Sequence, residues 1–411
     1  MIYIVFCFFV FLLFISRKKF LMISTYLIAV YVFSLLSSII LYNSNFQFQY
    51  QYATLLPSII FCIMLFLYFF PFFKKEFKIE ASSAPDFVRR FSFVGYGISI
   101  LLIIGCFLLL PKIQEAISFG LVESRQSMYR EEDVFTAYTI TEHLGHSILR
   151  WLSGLSYAIL IMFLYAVSFI KKKSLLKCLL LLSSLSATYL GLLVGGRTNL
   201  IYWVLFFFFC LILFWHYLTK IKKRIVSIAT VAFFSILGSY FIFISVTRAE
   251  LSHDSKTYDF LISYAGQSYL NFCYFFENMN YHPYSLYRIF PLTSNVLFGR
   301  FNLREYRDLI YSNTQMDIGI FYTLLGDFYV DMGLIGMFLY SIIYFLIAKR
   351  LMKRKIFNLS NLLILGILYQ IPLHGVFYYS LWKMESTFCV IIVLLISKYL
   401  SSGKKFVSNG K

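Results

Sequence analysis

The chain has 411 residues, of which 60% are hydrophobic and only 14% are charged. A soluble globular domain carries about 25% charged residues, so this composition excludes an ordinary soluble enzyme. The formal net charge is +18, and the positions of these charges decide whether they indicate nucleic acid or a membrane.

Apolar stretches recur along the whole chain. Each is near the roughly 20 residues that a helix needs to cross a bilayer. A backbone inside lipid must satisfy its own hydrogen bonds, so these stretches are predicted to be helices. The first is expected to be a retained span, because no basic segment precedes it. The sequence predicts an all-α, polytopic integral membrane protein, a single transmembrane domain over residues 1–411 with about eleven spans at 2–16, 20–42, 53–73, 91–111, 147–170, 175–194, 199–218, 225–246, 330–348, 359–379 and 386–400.

Basic clusters lie on alternate connections between these spans, for example "KKK" at 171–173 and "KIKKR" at 220–224. Positively charged loops stay in the cytoplasm, so the N-terminus is predicted outside and the C-terminus inside. The cytoplasmic side then carries 25 of the 37 Lys and Arg and 3 of the 19 Asp and Glu, or 25 − 3 = +22, and the outer side 12 − 16 = −4. The basic balance is therefore a topology signal, and no nucleic-acid partner is needed to explain it.

The two sides also differ in the kind of basic residue. The cytoplasmic side has 19 Lys and 6 Arg, whereas the outer side has 3 Lys and 9 Arg. Positive-inside selection does not depend on the kind of base, so the outer preference indicates forked recognition of phosphate or carboxylate by arginine. The alternative is chance, together with pairing to the 16 outer acids.

Two predicted outer loops are long, at 112–146 and 247–329, and the second is too long for a simple connector. It contains "YDFLISYAGQSYLNFCYFF" at 258–276. Tyr269 and Phe272 fall on one apolar helical stripe of this segment, whereas Ser263 and Asn271 fall off it. This pattern predicts a helix that lies in the membrane interface.

No nucleotide-binding fingerprint and no HExxH or GxSxG motif occurs in the chain, and the seven cysteines show no metal-ligand spacing. Neither a cofactor nor a metal site is predicted. The predicted cytoplasmic loops are short and hold only three acidic residues. Any chemistry is therefore predicted on the outer face.

Arg197 stands in "GLLVGGRTNLIYW" at 191–203, between two predicted spans. Gly195 and Gly196 allow a tight turn there, and Asn199 is expected to cap the next helix. Neither explains the arginine. A charge at this depth is costly, which favours a functional partner.

Further candidates lie on the outer loops. Asp327 and Asp331, in "LLGDFYVDMGLIGMFLYS", share a helix face and either contact substrate or complement a helix dipole. Each outer arginine taken alone can also be a solvated or snorkelling side chain. The anion-binding candidates besides Arg197 are Arg248, Arg288, Arg300 and Arg304, and the candidates for a general base are His253, Glu250 and His282.

Together these features resemble the Wzy-type repeat-unit polymerases of bacterial O-antigen and capsule synthesis. The resemblance rests on about eleven spans, the "GGRT" turn at 195–198, the large outer loop after the eighth span, and "GDFYVDMGLIG" at 326–336 before a late span. The related O-antigen ligases share this architecture, so the resemblance leaves both enzymes open. A flippase for lipid-linked oligosaccharide is the alternative from another class.

The resemblance implies a metal-independent glycosyltransferase in the bacterial cytoplasmic membrane, with its active site facing outward. Its substrate would be an undecaprenyl-pyrophosphate-linked oligosaccharide, and its partners a chain-length regulator and a flippase. Such a reaction needs a cation at the departing pyrophosphate, which Arg197 and Arg248 are expected to supply. Arg288, Arg300 and Arg304 are expected to bind a second pyrophosphate or acidic sugars, and a base must accept the proton of the acceptor hydroxyl.

Overall fold

The protein is described by a computed structural model, which is almost entirely helical in its described part. The described residues are 1–19, 22–44, 53–73, 77–82, 84–119, 138–193, 196–231, 235, 238–239, 257–297, 299, 303–381 and 383–402. The α-helices are α1 (Ile2–Lys19), α2 (Met22–Asn43), α3 (Leu55–Phe69), α4 (Pro85–Leu108), α5 (Leu110–Phe119), α6 (Ile140–Leu152), α7 (Ser156–Phe169), α8 (Ser174–Ser184), α9 (Ser186–Leu192), α10 (Thr198–Phe214), α11 (Thr257–Asn278), α12 (Pro291–Leu297), α13 (Leu303–Thr314), α14 (Thr323–Met352), α15 (Leu359–His374) and α16 (Met384–Ser401).

Short elements complete this description. Three-residue 3₁₀ turns follow three of the helices, at Phe70–Phe72, Ser153–Leu155 and Trp215–Tyr217. Residues 220–231 are also helical. Strands β1 (Lys78–Ile79) and β2 (Ile356–Phe357) pair in parallel, with Lys78 opposite Ile356.

Eight helical stretches among the described residues are long and apolar enough to cross a membrane, at Met22–Asn43, Leu55–Phe72, Pro85–Leu108, Ile140–Phe169, Ser174–Leu192, Thr198–Tyr217, Thr323–Met352 and Met384–Ser401. They confirm the prediction of a polytopic helical membrane protein. Two further predicted spans correspond to shorter apolar helices, Ile2–Arg17 and Leu359–His374. The predicted span at 225–246 lies largely outside the described residues.

Large apolar side chains stand exposed on these helices. Phe93 and Phe107 of α4 are each 74% exposed, and Ile335 of α14 is 76% exposed. Exposed apolar surface on this scale marks contact with lipid or another protein, and on long apolar helices it marks the lipid-facing side.

The first predicted outer loop, 112–146, contains helical residues at both ends. Helix α5 extends to Phe119, and α6 begins at Ile140 after a capping box. The Thr139 hydroxyl accepts the Glu142 N–H at 3.3 Å, and the Glu142 carboxylate accepts the Thr139 N–H at 2.9 Å. These two bonds satisfy amides that the first helical turn leaves without partners, which explains why the helix begins so early.

The chain packs as two compact units, whereas the sequence predicts a single transmembrane domain. Unit 1 comprises Met1–Phe77, Asp254–Lys355 and Leu368–Thr387, and unit 2 comprises Lys78–His253, Ile356–Ile367 and Phe388–Lys411. Within unit 2, α4 packs against α6 and α8, and α7 packs against α8 and α10.

In unit 1, α11 packs closely along α2. A Cβ atom on Gly266 would come within 2.6 Å of the backbone carbonyl carbon of Ser37, so only glycine permits this approach. The hydroxyls of Ser34 and Ser38 donate to the carbonyl oxygens of Ala265 and Gly266 at 2.8 and 2.6 Å. These bonds tie the two helices together at their closest point.

The polar residues of α11 differ from the expectation of an interfacial helix. Ser263 and Asn271, predicted off the apolar stripe, are both buried. The Asn271 amide donates to the Phe321 carbonyl at 2.8 Å. Helix α11 is therefore packed within unit 1 at Ser263 and Asn271 of its polar face as well as on its apolar face.

Helix α14 is interrupted at Gly333, whose φ is 62° and ψ is −168°. Positive φ of this kind costs a residue with a side chain far more than it costs glycine. Residues 334–352 after the break extend for about 28 Å at roughly 1.5 Å per residue, close to the roughly 30 Å of the hydrocarbon core. The part after Gly333 is therefore long enough to cross the bilayer on its own.

Candidate functional site

Unit 1 brings three of the predicted site residues, Arg288, Asp327 and Asp331, into one buried cluster. Arg288 is 6% exposed, and both aspartates are fully buried. The Arg288 Nε donates to Asp327 Oδ1 at 2.8 Å, and a terminal guanidinium nitrogen donates to the same oxygen. That nitrogen also donates to the Tyr322 hydroxyl at 3.1 Å.

Asp331 holds the backbone of the loop that carries Arg288. Its Oδ1 accepts the Ser285 hydroxyl at 2.8 Å, and its Oδ2 accepts the Arg288 N–H at 2.8 Å. Its own carbonyl accepts the Tyr284 N–H at 2.9 Å. Residues four apart share a helix face, so Asp327 and Asp331, one turn apart, both accept hydrogen bonds from the same loop.

The break at Gly333 explains why a loop can bind here. A helix that ends leaves its last carbonyls without intrahelical donors, and the Tyr284 N–H supplies one to Asp331. The backbone of this loop is unusual, since Tyr284 and Leu286 adopt positive φ angles of 51° and 59°. Non-glycine residues rarely hold such angles, and a surrounding structure that over-determines them keeps them there.

Both aspartates have hydrogen-bond partners within the protein. Asp331 lies two residues before Gly333, at the C-terminal end of the first part of α14, where the dipole disfavours a negative charge. Asp327 has the Arg288 guanidinium, and its Oδ2 also accepts the Tyr379 N–H at 2.5 Å. Asp331 also lies just before the part of α14 that follows Gly333, so the interpretation that the aspartates complement a helix N-terminus stays a prediction.

Arg288 keeps its charge inside this cluster. Burial lowers its pKa, but the adjacent Asp327 carboxylate raises it, and the net pKa lies above the ordinary value. The guanidinium is engaged by Asp327 and Tyr322 before any substrate is considered. Its evident role is to fix the loop, and its predicted role as an anion ligand stays a prediction.

His282 lies at the start of the same loop, beside the helix break. Its Nδ1 is 3.4 Å from the Val330 carbonyl oxygen, and its ring meets the Tyr329 ring edge-on with centroids 4.8 Å apart. Burial lowers the pKa of His282 below its ordinary value, and the hydrogen bond to Val330 offsets part of this shift. A neutral imidazole at pH 7 has a nitrogen lone pair that can accept a proton.

Arg197 lies in unit 2, at the N-cap of α10, and is 6% exposed. The Gly196 N–H donates to the Gly191 carbonyl at 2.9 Å and closes the turn. The Asn199 amide donates back to the Ala187 carbonyl at 2.8 Å, and no side chain caps α10. The expectation that Asn199 caps this helix is therefore wrong, since it fastens the turn to α9 instead.

The remaining predicted residues are one exposed arginine on α13 and four residues outside the described ranges. Arg304 lies on α13, with its Nε 3.9 Å from Asp308 and both side chains at least 67% exposed. Arg248, Glu250, His253 and Arg300 lie outside the described residues. Within the described ranges, no group of three or more His, Cys, Asp or Glu side chains could hold a metal ion.

Sequence reasoning missed Ser285, Tyr322 and the backbone amide of Tyr379. Ser285 and Arg288 stand three residues apart in "PYSLYRIFP", a spacing without special meaning in a loop. Tyr322 and Tyr379 are far from Arg288 in sequence, and only packing brings them to the two aspartates. It also passed over Arg307, three residues after Arg304 in the same helix.

In comparisons with known proteins, no family model, no curated protein and no solved structure matches this chain.

Proposed function

We propose that this protein polymerises oligosaccharide repeat units carried on undecaprenyl pyrophosphate, at the outer face of a bacterial cytoplasmic membrane. It would do so as a metal-independent glycosyltransferase with about eleven spans, its N-terminus outside and its C-terminus inside. The eight membrane-length helices and the placement of 9 of its 15 arginines on the predicted outer side, where only 3 of its 22 lysines lie, support this proposal.

Arg197 is the observation that carries the proposal. It is only 6% exposed, and it stands between two stretches of membrane-crossing length, Ser174–Leu192 and Thr198–Tyr217. An ionised side chain at such a position is costly, and its retention favours a functional partner. A guanidinium fork matches phosphate oxygens, and a lipid pyrophosphate presents its phosphates at headgroup depth.

The glycosyl-transfer reaction requires a cation at the leaving pyrophosphate and a base at the acceptor hydroxyl. The acceptor hydroxyl oxygen forms a bond to the anomeric carbon of the growing glycan, and the bond from that carbon to the pyrophosphate oxygen breaks. The departing lipid pyrophosphate keeps the bonding electron pair, and a preorganised cation there lowers the barrier by several kcal/mol. The hydroxyl proton passes to a general base.

The test uses a host strain that lacks the gene and shows the polymer as a ladder on a gel. Arg197→Ala should abolish the ladder, and Arg197→Lys should restore little of it because lysine lacks the bidentate fork. Asn199→Ala is the matched control, since it weakens the same turn but keeps the cation. A full ladder from Arg197→Ala at normal expression would contradict the proposal.

The same strain separates this function from the two alternatives. A polymerase defect accumulates single lipid-linked units on the outer leaflet, whereas a ligase defect accumulates full-length polymer on its lipid carrier. A flippase defect leaves single units on the inner leaflet. A flippase would also carry charges near mid-membrane, and residues 334–348 after the Gly333 break contain none.

A further inference from the structure

Arg307, on α13, differs from the two other described arginines of this part of unit 1. Arg288 pairs with Asp327, and Arg304 lies 3.9 Å from Asp308. Within the described residues the Arg307 guanidinium makes no hydrogen bond or ion pair, and its Nε is fully buried without an acceptor. The protein itself leaves this cation unsatisfied.

A buried guanidinium N–H without an acceptor, such as the Arg307 Nε, is unfavourable in a specific way. Arginine keeps its proton at any accessible pH and offers five N–H donors and no acceptor. A buried donor without a partner loses its hydration and gains nothing in return. A phosphate or carboxylate group would supply both the missing acceptor and the missing negative charge.

A second unsatisfied donor adjoins Arg307. Tyr306 is fully buried, and its hydroxyl has no hydrogen-bond partner. Its ring stacks on Tyr287 with centroids 4.9 Å apart, which fixes its position. Burial raises the pKa of Tyr306, and the nearby Asp331 carboxylate raises it further, so this hydroxyl stays protonated and can donate.

Both residues lie beside the buried arginine–aspartate cluster. Burial raises the pKa of Tyr322, and the positive charges of Arg288 and Arg307 both oppose that rise, so both cations lie near its ring. Asp327 balances the charge of Arg288, but no described carboxylate pairs with Arg307. The Arg307 Nε therefore remains a buried donor beside this cluster that no described acceptor reaches.

We propose that Arg307 and Tyr306 form an anion-binding site that takes a phosphate or carboxylate group of the substrate. Arg307 would supply the charge and a forked pair of donors, and Tyr306 a single neutral donor. The assignment to a substrate rests on the proposed function, with lipid pyrophosphate and an acidic sugar as the two sources of this chemistry. The site itself depends only on the contacts within unit 1.

Binding of soluble anions to the full-length purified protein tests this site without requiring polymerase activity. Isothermal titration calorimetry with inorganic pyrophosphate forms one arm, and titration with sodium glucuronate forms the other. Arg307→Gln should weaken binding about tenfold or more in at least one arm, as expected for a lost charged hydrogen bond. Tyr306→Phe should weaken it by a few-fold, and the control Arg350→Gln, at an exposed position of α14, should change it by less than about twofold.

The arm that responds identifies the source of the anion. Equal affinity of Arg307→Gln and the unaltered protein in both arms, or binding in neither arm, overturns the proposal. Thermal unfolding gives a second readout. With no internal partner to lose, Arg307→Gln should unfold at the same or a higher temperature, and a clear decrease would show a structural role instead. If Arg197→Ala kept a full ladder, the proposed function would fail, but the anion-binding result for Arg307 would be unchanged. Failure of the proposed function and failure of the anion site are therefore distinguishable.

Discussion

Replacing Asp327 with asparagine should destabilise unit 1 strongly. The Arg288 side chain is 8% exposed and that of Asp327 fully buried, so the substitution leaves a guanidinium inside the protein without its counter-charge. Breaking a buried ion pair by removing one partner typically costs about 3–5 kcal/mol. We expect a loss of this size, because the amide also keeps only one oxygen for donors that now use both, namely Arg288 and the Tyr379 N–H.

A double replacement separates the cost of an orphaned charge from the cost of lost packing. Arg288→Met with Asp327→Leu removes both charges, and such replacements are often neutral or stabilising. The bonds to Tyr322 and to the Tyr379 N–H are still lost, at roughly 1–3 kcal/mol for a buried group left unsatisfied. The double variant should therefore be more stable than Asp327→Asn.

The assay is denaturant unfolding of the purified full chain in mixed micelles, followed by tryptophan fluorescence. The Arg288→Met and Asp327→Leu single variants complete the cycle, and the coupling is the difference between the cost of the double variant and the sum of the costs of these two singles. A loss below about 1 kcal/mol for Asp327→Asn, or strictly additive costs, would refute the idea that this pair stabilises the loop.

Three further predictions concern the helix contacts and the loop. Gly266→Ala should destabilise the protein by about 1–3 kcal/mol, because its Cβ would lie 2.6 Å from the backbone of Ser37. Gly97→Ala is the matched control, with nothing within 4 Å of its Cβ, and should be neutral or stabilising by up to about 1 kcal/mol. Gly333→Ala should cost about 1–3 kcal/mol for its positive φ and lower ladder yield, and an unchanged unfolding midpoint would contradict this. Burial lowers the pKa of His282, so its neutral form contributes stability above pH 6.5 that is lost as the pH falls through the lowered pKa. The His282→Gln variant should therefore show a flatter dependence of stability on pH in this range. An unaltered curve would contradict the lowered pKa.

The spans were predictable because they depend on local composition. Eight of the eleven stretches form helices of membrane-crossing length, since twenty apolar residues in lipid have almost no alternative to a helix. Helix ends were less predictable. The capping box at Thr139 and Glu142 extends α6 into a segment predicted as loop, because a two-bond cap outweighs the fall in hydrophobicity there.

The candidate site was predictable only in part. Asp327 and Asp331 were recognised from their spacing on one helix face, and Arg288 from its charge and its predicted side of the membrane. Their partnership was not predictable, because a loop and a helix about forty residues apart in sequence meet only through packing. Arg307 was passed over beside Arg304, because the sequence carries no mark of which arginine has a buried N–H without an acceptor.

The sequence by itself determined the class of the protein, a helical membrane chain, and its alternating basic clusters predict a topology that would explain its positive charge. The length of each apolar stretch and the distribution of charges among the loops depend on local residues alone, and folding does not alter them. The tertiary structure alone decided which charges are satisfied within the protein. Asp327 neutralises Arg288, Asp331 holds the backbone beside the break at Gly333, and Arg307 keeps a buried donor without an acceptor. The physical reason is that the cost of a buried charge depends on the few atoms within hydrogen-bond reach, and those atoms come from distant parts of the chain.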